Sequence, residues 1–135
     1  MANLLYEHGR EGFLDGSIDW DTDDIRAILI DVADYTVDLD NDDNLDDIPG
    51  AARVAVSGAL ADKTVAAGVA DAANVTFSAV TGDVSEAIVL YKHTGTEATS
   101  RLIAYIDSAT GLPVTPNGGD IEVQWAETAA KIFKL

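Results

Sequence analysis

The chain has 135 residues, 47% of them hydrophobic, so it is one domain by size and able to bury a core despite its charge. Its 24 acids stand against 8 bases, a formal charge of −16. A surface of that sign repels phosphate backbones and anionic lipid, which argues against nucleic-acid and membrane-surface partners. There is no cysteine, so disulfides, thiol nucleophiles and cysteine-based zinc sites are excluded.

In chain order, the opening MANLLYEHGREGFLDG lacks both a basic start and a continuous apolar core, and does not read as a secretory signal. Its spacing predicts a short helix over residues 3 to 14, with Asn3 as N-cap and Gly16 as the stop. Gly9 and Gly12 each cost about 1 kcal/mol in a helix interior, so this helix holds only if it docks on the body. Asp21 to Asp24 predict a tight acidic turn. Ile25 to Val32 then read as a strand, and DLDNDDNLDDIPG (38–50) as a solvated loop. Further strands are expected at Arg53–Leu60, Lys63–Ala67 and Asn74–Val80.

Glu86 to Asp107 is the stretch around which the chain is organised. Ile88, Val89 and Leu90 are consecutive and apolar, as in a strand covered on both faces. Leu102, Ala104 and Ile106 alternate along a second strand, and HTGTEATS between them has the composition of an exposed turn. The run GLPVTPNGGD breaks the chain again before Ile121–Trp125 and Lys131–Leu135, the last two strands. The expected fold is all-β: about eight short strands in an antiparallel sandwich or flattened barrel, with one N-terminal helix. No apolar run approaches the roughly 20 residues that span a bilayer.

Sites are few. Asp38, Asp40 and Asp42 offer oxygens at alternate positions, like the start of a calcium loop. However, Asp43 stands where that loop needs glycine, and Pro49 where it needs a bidentate glutamate. Asp21, Asp23 and Asp24 lack the apolar pocket that separates the pKa values of a catalytic pair, and read as turn formers. His93 lies near Ser100 and Glu97, but no strained nucleophile elbow accompanies them. Trp20, Trp125, Tyr91 and Tyr105 read as core and sheet-face residues. Neither a resident metal, a cofactor nor an enzymatic activity is expected.

Taken together, several motifs resemble a family of small tailed-bacteriophage virion proteins. They are the run Ile18 to Leu29 (IDWDTDDIRAIL), the tract Leu45 to Pro49, and the hairpin segments Ile88 to Lys92, Thr94 to Thr96 and Leu102 to Asp107. The closing motifs Asn117 to Ile121, Gln124-Trp125 and Ile132 to Leu135 complete the series. The resemblance runs in order through nearly the whole chain. It implies a structural virion protein of the capsid decoration (cement) type: a compact β module, favoured as a homotrimer, on the outer surface of the major capsid protein lattice. Assembly in the host bacterial cytoplasm is implied too. The N-terminal segment is the first choice for a gripping arm, through Leu4, Leu5, Tyr6 and Phe13; a helix packed on its own body is the alternative. Two other functions stay open. One is a tail, neck or fibre module binding a receptor or glycan through the loops His93 to Ser100 and Gly111 to Gly119; the other is a small enzyme acting on cell-wall polymer.

Overall fold

The computed structural model describes residues 4–107, 109–125 and 131–135. Within them the chain is mainly β, with ten short strands in antiparallel sheets and a single short helix, a small β-sandwich-like arrangement. The expected hairpin is its centre. Strands β7 (Ala87–Lys92) and β8 (Leu102–Ile106) pair antiparallel, with Val89 opposite Tyr105. β2 (Ile25–Ile30) pairs with the other edge of β7. β1 (Leu4–Leu5) and β3 (Arg53–Val56) complete a five-stranded sheet in the order β1-β8-β7-β2-β3.

Side chains on the two faces of this sheet form separate cores. Ala27, Leu29, Ile88, Leu90 and Ile106 point into one, where they meet two smaller sheets. One of these joins β10 (Phe133–Lys134), β5 (Val69–Asp71) and β4 (Thr64–Ala66) in that order; the other joins β6 (Val75–Phe77) and β9 (Ile121–Val123). On the opposite face Ile28, Ile30, Val89, Tyr91 and Leu102 are covered by the segment from Tyr35 to Ala52. Being buried on both faces explains why the central strands read as continuous apolar runs.

The acidic tract 38–50 is therefore more than a solvated loop. Its Leu45 and Ile48 are buried anchors on the second core, while its aspartates close turns on the outside. Asn44 and Asp47 form a reciprocal capping box around the 3-10 turn Leu45–Asp47. Arg53 ties the tract down, donating to the carbonyls of Ile48 and Leu45 (2.6 and 2.8 Å) and to Glu97 (3.0 Å).

Several expected boundaries move for identifiable reasons. Helix α1 covers Glu7–Asp15 rather than 3–14, because Leu4 and Leu5 pair with Tyr105 and Ala104. The expected N-cap, Asn3, lies outside the described residues. Tyr6 occupies the cap position, and the first-turn N–H of Glu7 finds the Leu39 carbonyl at 2.8 Å. Gly16 ends the helix in the left-handed conformation, as expected. β3 stops at Val56 because Ser57 Oγ accepts the Ala27 N–H in place of a backbone carbonyl. The unexpected β5 follows a turn in which Ala67 and Gly68 both have positive φ, a tight hairpin without the usual Asn-Gly signal.

Candidate functional site

Among the described residues, an apolar groove of about 390 Å³ opens at the surface. It lies between the C-terminal end of α1, the turn Ile18 to Asp21, the β4–β5 hairpin and the last residues of the chain. Its floor follows from strand register. Val65, Ala70 and Phe133 lie directly opposite one another across β4, β5 and β10, so their side chains form one row on one face. The row begins in the core at Phe133 and ends in solvent at Val65, which is 58% exposed.

An aromatic cluster holds the inner wall. Trp20 meets Phe133 edge-on with centroids 5.2 Å apart, and Phe13 lies 5.6 Å from the same ring. The Trp20 indole donates to the Asp71 carbonyl at 3.1 Å, which fixes the ring against β5. The outer wall is acidic, formed by Asp19 and Asp21. Asp23 accepts the Asp19 N–H at 2.8 Å, and Lys92 reaches both Asp23 (3.2 Å) and the Ser17 carbonyl (2.7 Å), pinning this turn to β7. A hydrogen bond from Asp21 holds Asp19 below the usual carboxylate range, and the same interaction raises Asp21.

The expected contact residues separate. Phe13 lines the groove. Leu4 is half-buried, Leu5 is packed in the first core, and Tyr6 is fully buried in the second, its hydroxyl 2.8 Å from that of Tyr35. The N-terminal segment is thus a docked strand and helix from Leu4 onward; a grip by Leu5 or Tyr6 requires this segment to leave the body, whereas Leu4 is partly accessible where it stands. Trp20, Val65 and Leu135 join the groove without having been singled out as contact residues. Their proximity depends on pairing between distant strands, which no local pattern encodes.

Asp38, Asp40 and Asp42 do not converge as a calcium site. The Asp38 carboxylate accepts the N–H groups of Asp40 and Asn41 and the Asn41 amide. Asp42 Oδ2 accepts the Tyr35 hydroxyl (2.6 Å) and the Asp38 N–H (3.1 Å). Carboxylates do approach one another at Asp31, Asp34 and Asp83 and at Asp43, Asp46 and Asp47. In these groups Asp31 and Asp47 already accept local backbone N–H bonds, so turn closure accounts for them.

His93 and Ser100 are not arranged as a base and nucleophile. Ser100 Oγ donates to the Thr96 carbonyl at 2.8 Å, and the buried His93 Nδ1 has no hydrogen-bond partner. Asp24 grips Arg26 through two 3.0 Å bonds, a structural use of that acid. Trp125, Tyr91 and Tyr105 are buried, as expected. Among the described residues no helix is long and apolar enough to cross a membrane.

No protein-family model matches this chain, and no curated protein is significantly similar to it.

Proposed function

We propose that this chain is a bacteriophage capsid decoration protein. It binds the outer surface of the major capsid protein lattice, as a homotrimer, and stabilises the expanded head. The observation that carries the binding-module reading is the groove: apolar on its aromatic floor, open to solvent and set in a fixed, strongly acidic body. The ordered resemblance to tailed-phage virion proteins supplies the partner. An acidic exterior suits the outside of a shell, away from packaged DNA.

Cementing is binding energy applied across seams between shell subunits. A clamp that binds only the expanded lattice stabilises that lattice by mass action, and many copies turn weak contacts into avidity. The test is to add the purified chain to expanded shells of the source phage that lack it. Saturable decoration over the whole head, together with a higher shell disruption temperature, is the expected result. Shells that stay bare, or virions carrying a few copies at the tail only, overturn the proposal in favour of a tail, neck or fibre module.

A further inference from the structure

The groove and its acidic wall together define what it can hold. At about 390 Å³ it lies near the lower end of ligand-pocket sizes, roughly 300–1,000 Å³, which suits one protruding side chain better than a polymer. Its floor is already desolvated at Phe133, Ala70 and Trp20, whereas the rim at Val65 and Leu135 (58% and 59% exposed) is not. An apolar side chain laid on that rim removes further apolar surface from water, at about 25 cal/mol per Å². Beside it, Asp19 and Asp21 line the same groove from one wall, so an incoming cation meets two acids next to the apolar floor.

A second copy of the chain is a poor occupant. Each copy carries a formal charge of −16. At least six of its eight basic side chains are also engaged internally: Arg26 with Asp24, Arg53 with Glu97, Lys92 with Asp23, Lys131 with Asp71, and Arg101 and Lys63 with backbone carbonyls. A homotrimer therefore forms through another face.

We infer that the groove seats a partner segment presenting one large apolar side chain next to a lysine or arginine, the apolar group covering Val65 and the cation pairing with Asp19 and Asp21. This deepens the shell-binding reading, on which it rests only for the identity of the partner: a basic-apolar segment on the outer face of the shell subunit.

The experiment uses the isotope-labelled full chain and two sets of short capped peptides, one with a leucine flanked by lysines and a matched set with glutamates in place of the lysines. The lysine set is expected to shift the Val65, Val69 and Leu135 amides and the Trp20 indole saturably, and less so as salt is raised. Val65→Asp, at an exposed edge position and with its thermal midpoint checked, should weaken binding about tenfold or more. The double variant Asp19→Asn, Asp21→Asn should erase the preference for lysine over glutamate peptides. Shifts outside the groove, equal shifts from both sets, or no shift at all overturn the inference. The same variants are then added to expanded shells. Wild-type chain that ignores shells while the peptide result stands removes the shell-binding reading and keeps the groove chemistry. Shell binding unchanged in both variants overturns the groove as the contact.

Discussion

Gly9→Ala tests how closely the helix is docked. A Cβ at Gly9 would lie 2.8 Å from the Leu102 carbonyl oxygen, 2.9 Å from that of Ile103 and 3.0 Å from the Ile103 Cα. All three are backbone atoms of β8, which is hydrogen-bonded on both sides by β1 and β7 and cannot rotate away. To reach the 3.4 Å at which ordinary contact begins, the helix must rise by about 0.6 Å. A gap of that order forfeits a quarter or more of the dispersion energy along the contact. It also stretches the Tyr6 N–H to Ile103 bond (3.0 Å) and the Arg101 bond to the His8 carbonyl (3.0 Å). Overpacking against immovable atoms belongs at the upper end of the usual range, about 3 kcal/mol. The better helix propensity of alanine returns about 1 kcal/mol. The expected net loss is about 2 kcal/mol, or roughly a 1 M fall in urea midpoint for a slope near 2 kcal/mol/M. Fluorescence of the buried Trp20 and Trp125 reports the transition. Gly58→Ala is the control: it has no neighbour within 4 Å and no positive φ, and should be neutral or stabilising by about 0.5 kcal/mol. A Gly9→Ala variant as stable as the parent would refute the close docking of α1 on β8.

The hydrogen-bonded chain from Tyr6 through Tyr35 to Asp42 makes a graded prediction. Tyr35→Phe strands the buried Tyr6 hydroxyl and should cost about 2 kcal/mol, whereas Tyr6→Phe leaves Tyr35 bonded to Asp42 and should cost about 1 kcal/mol in chemical denaturation. Burial raises both phenols above their ordinary value near 10. The folded state therefore holds these protons more tightly than the unfolded state: their stabilisation is complete below about pH 10 and lost as pH rises above it. Thermal midpoints should hold from pH 7 to 9 and then fall, less steeply in Tyr6→Phe; a flat profile through strong alkali would contradict the buried network. Arg53→Met removes the donors to Leu45, Ile48 and Glu97 and should lose about 2–3 kcal/mol, while Glu97→Gln at the solvent-screened end of the same set should leave the denaturation midpoint nearly unchanged. Equal losses from the two would mean that the carbonyl contacts contribute nothing. Calcium titrated calorimetrically to millimolar ion should give no saturable heat from the Asp38, Asp40 and Asp42 tract, whose Asp38 and Asp42 carboxylates are already filled by N–H and O–H donors. A saturable heat that disappears in Asp42→Asn would contradict this.

Composition and local pattern determined the fold class and the centre of the molecule. Three consecutive apolar residues at Ile88–Leu90, bounded by turn-forming stretches, suit a strand covered on both faces, and Gly16 readily ends a helix in the left-handed conformation. Those are short-range consequences of side-chain periodicity and backbone freedom, and they survive whatever the rest of the chain does. The sequence also showed that the two glycines of α1 need a docked helix, though not that Gly9 is the docking surface.

Everything about the groove was decided in three dimensions. Phe13, Trp20, Val65 and Phe133 come from both ends and the middle of the chain, and they meet only because β10 returns to pair with β5. Leu4 and Leu5 carry a pattern compatible with a helix, yet the unpaired edge of β8 offers them ladder hydrogen bonds, and so they become a strand. The acidic tract is polar enough to pass for a solvated loop. Only the exposed second face of the central sheet, needing a cover, converts its Leu45 and Ile48 into core. A residue's own neighbours set its local conformation; which apolar surface it finally shields from water depends on strands brought together from far along the chain.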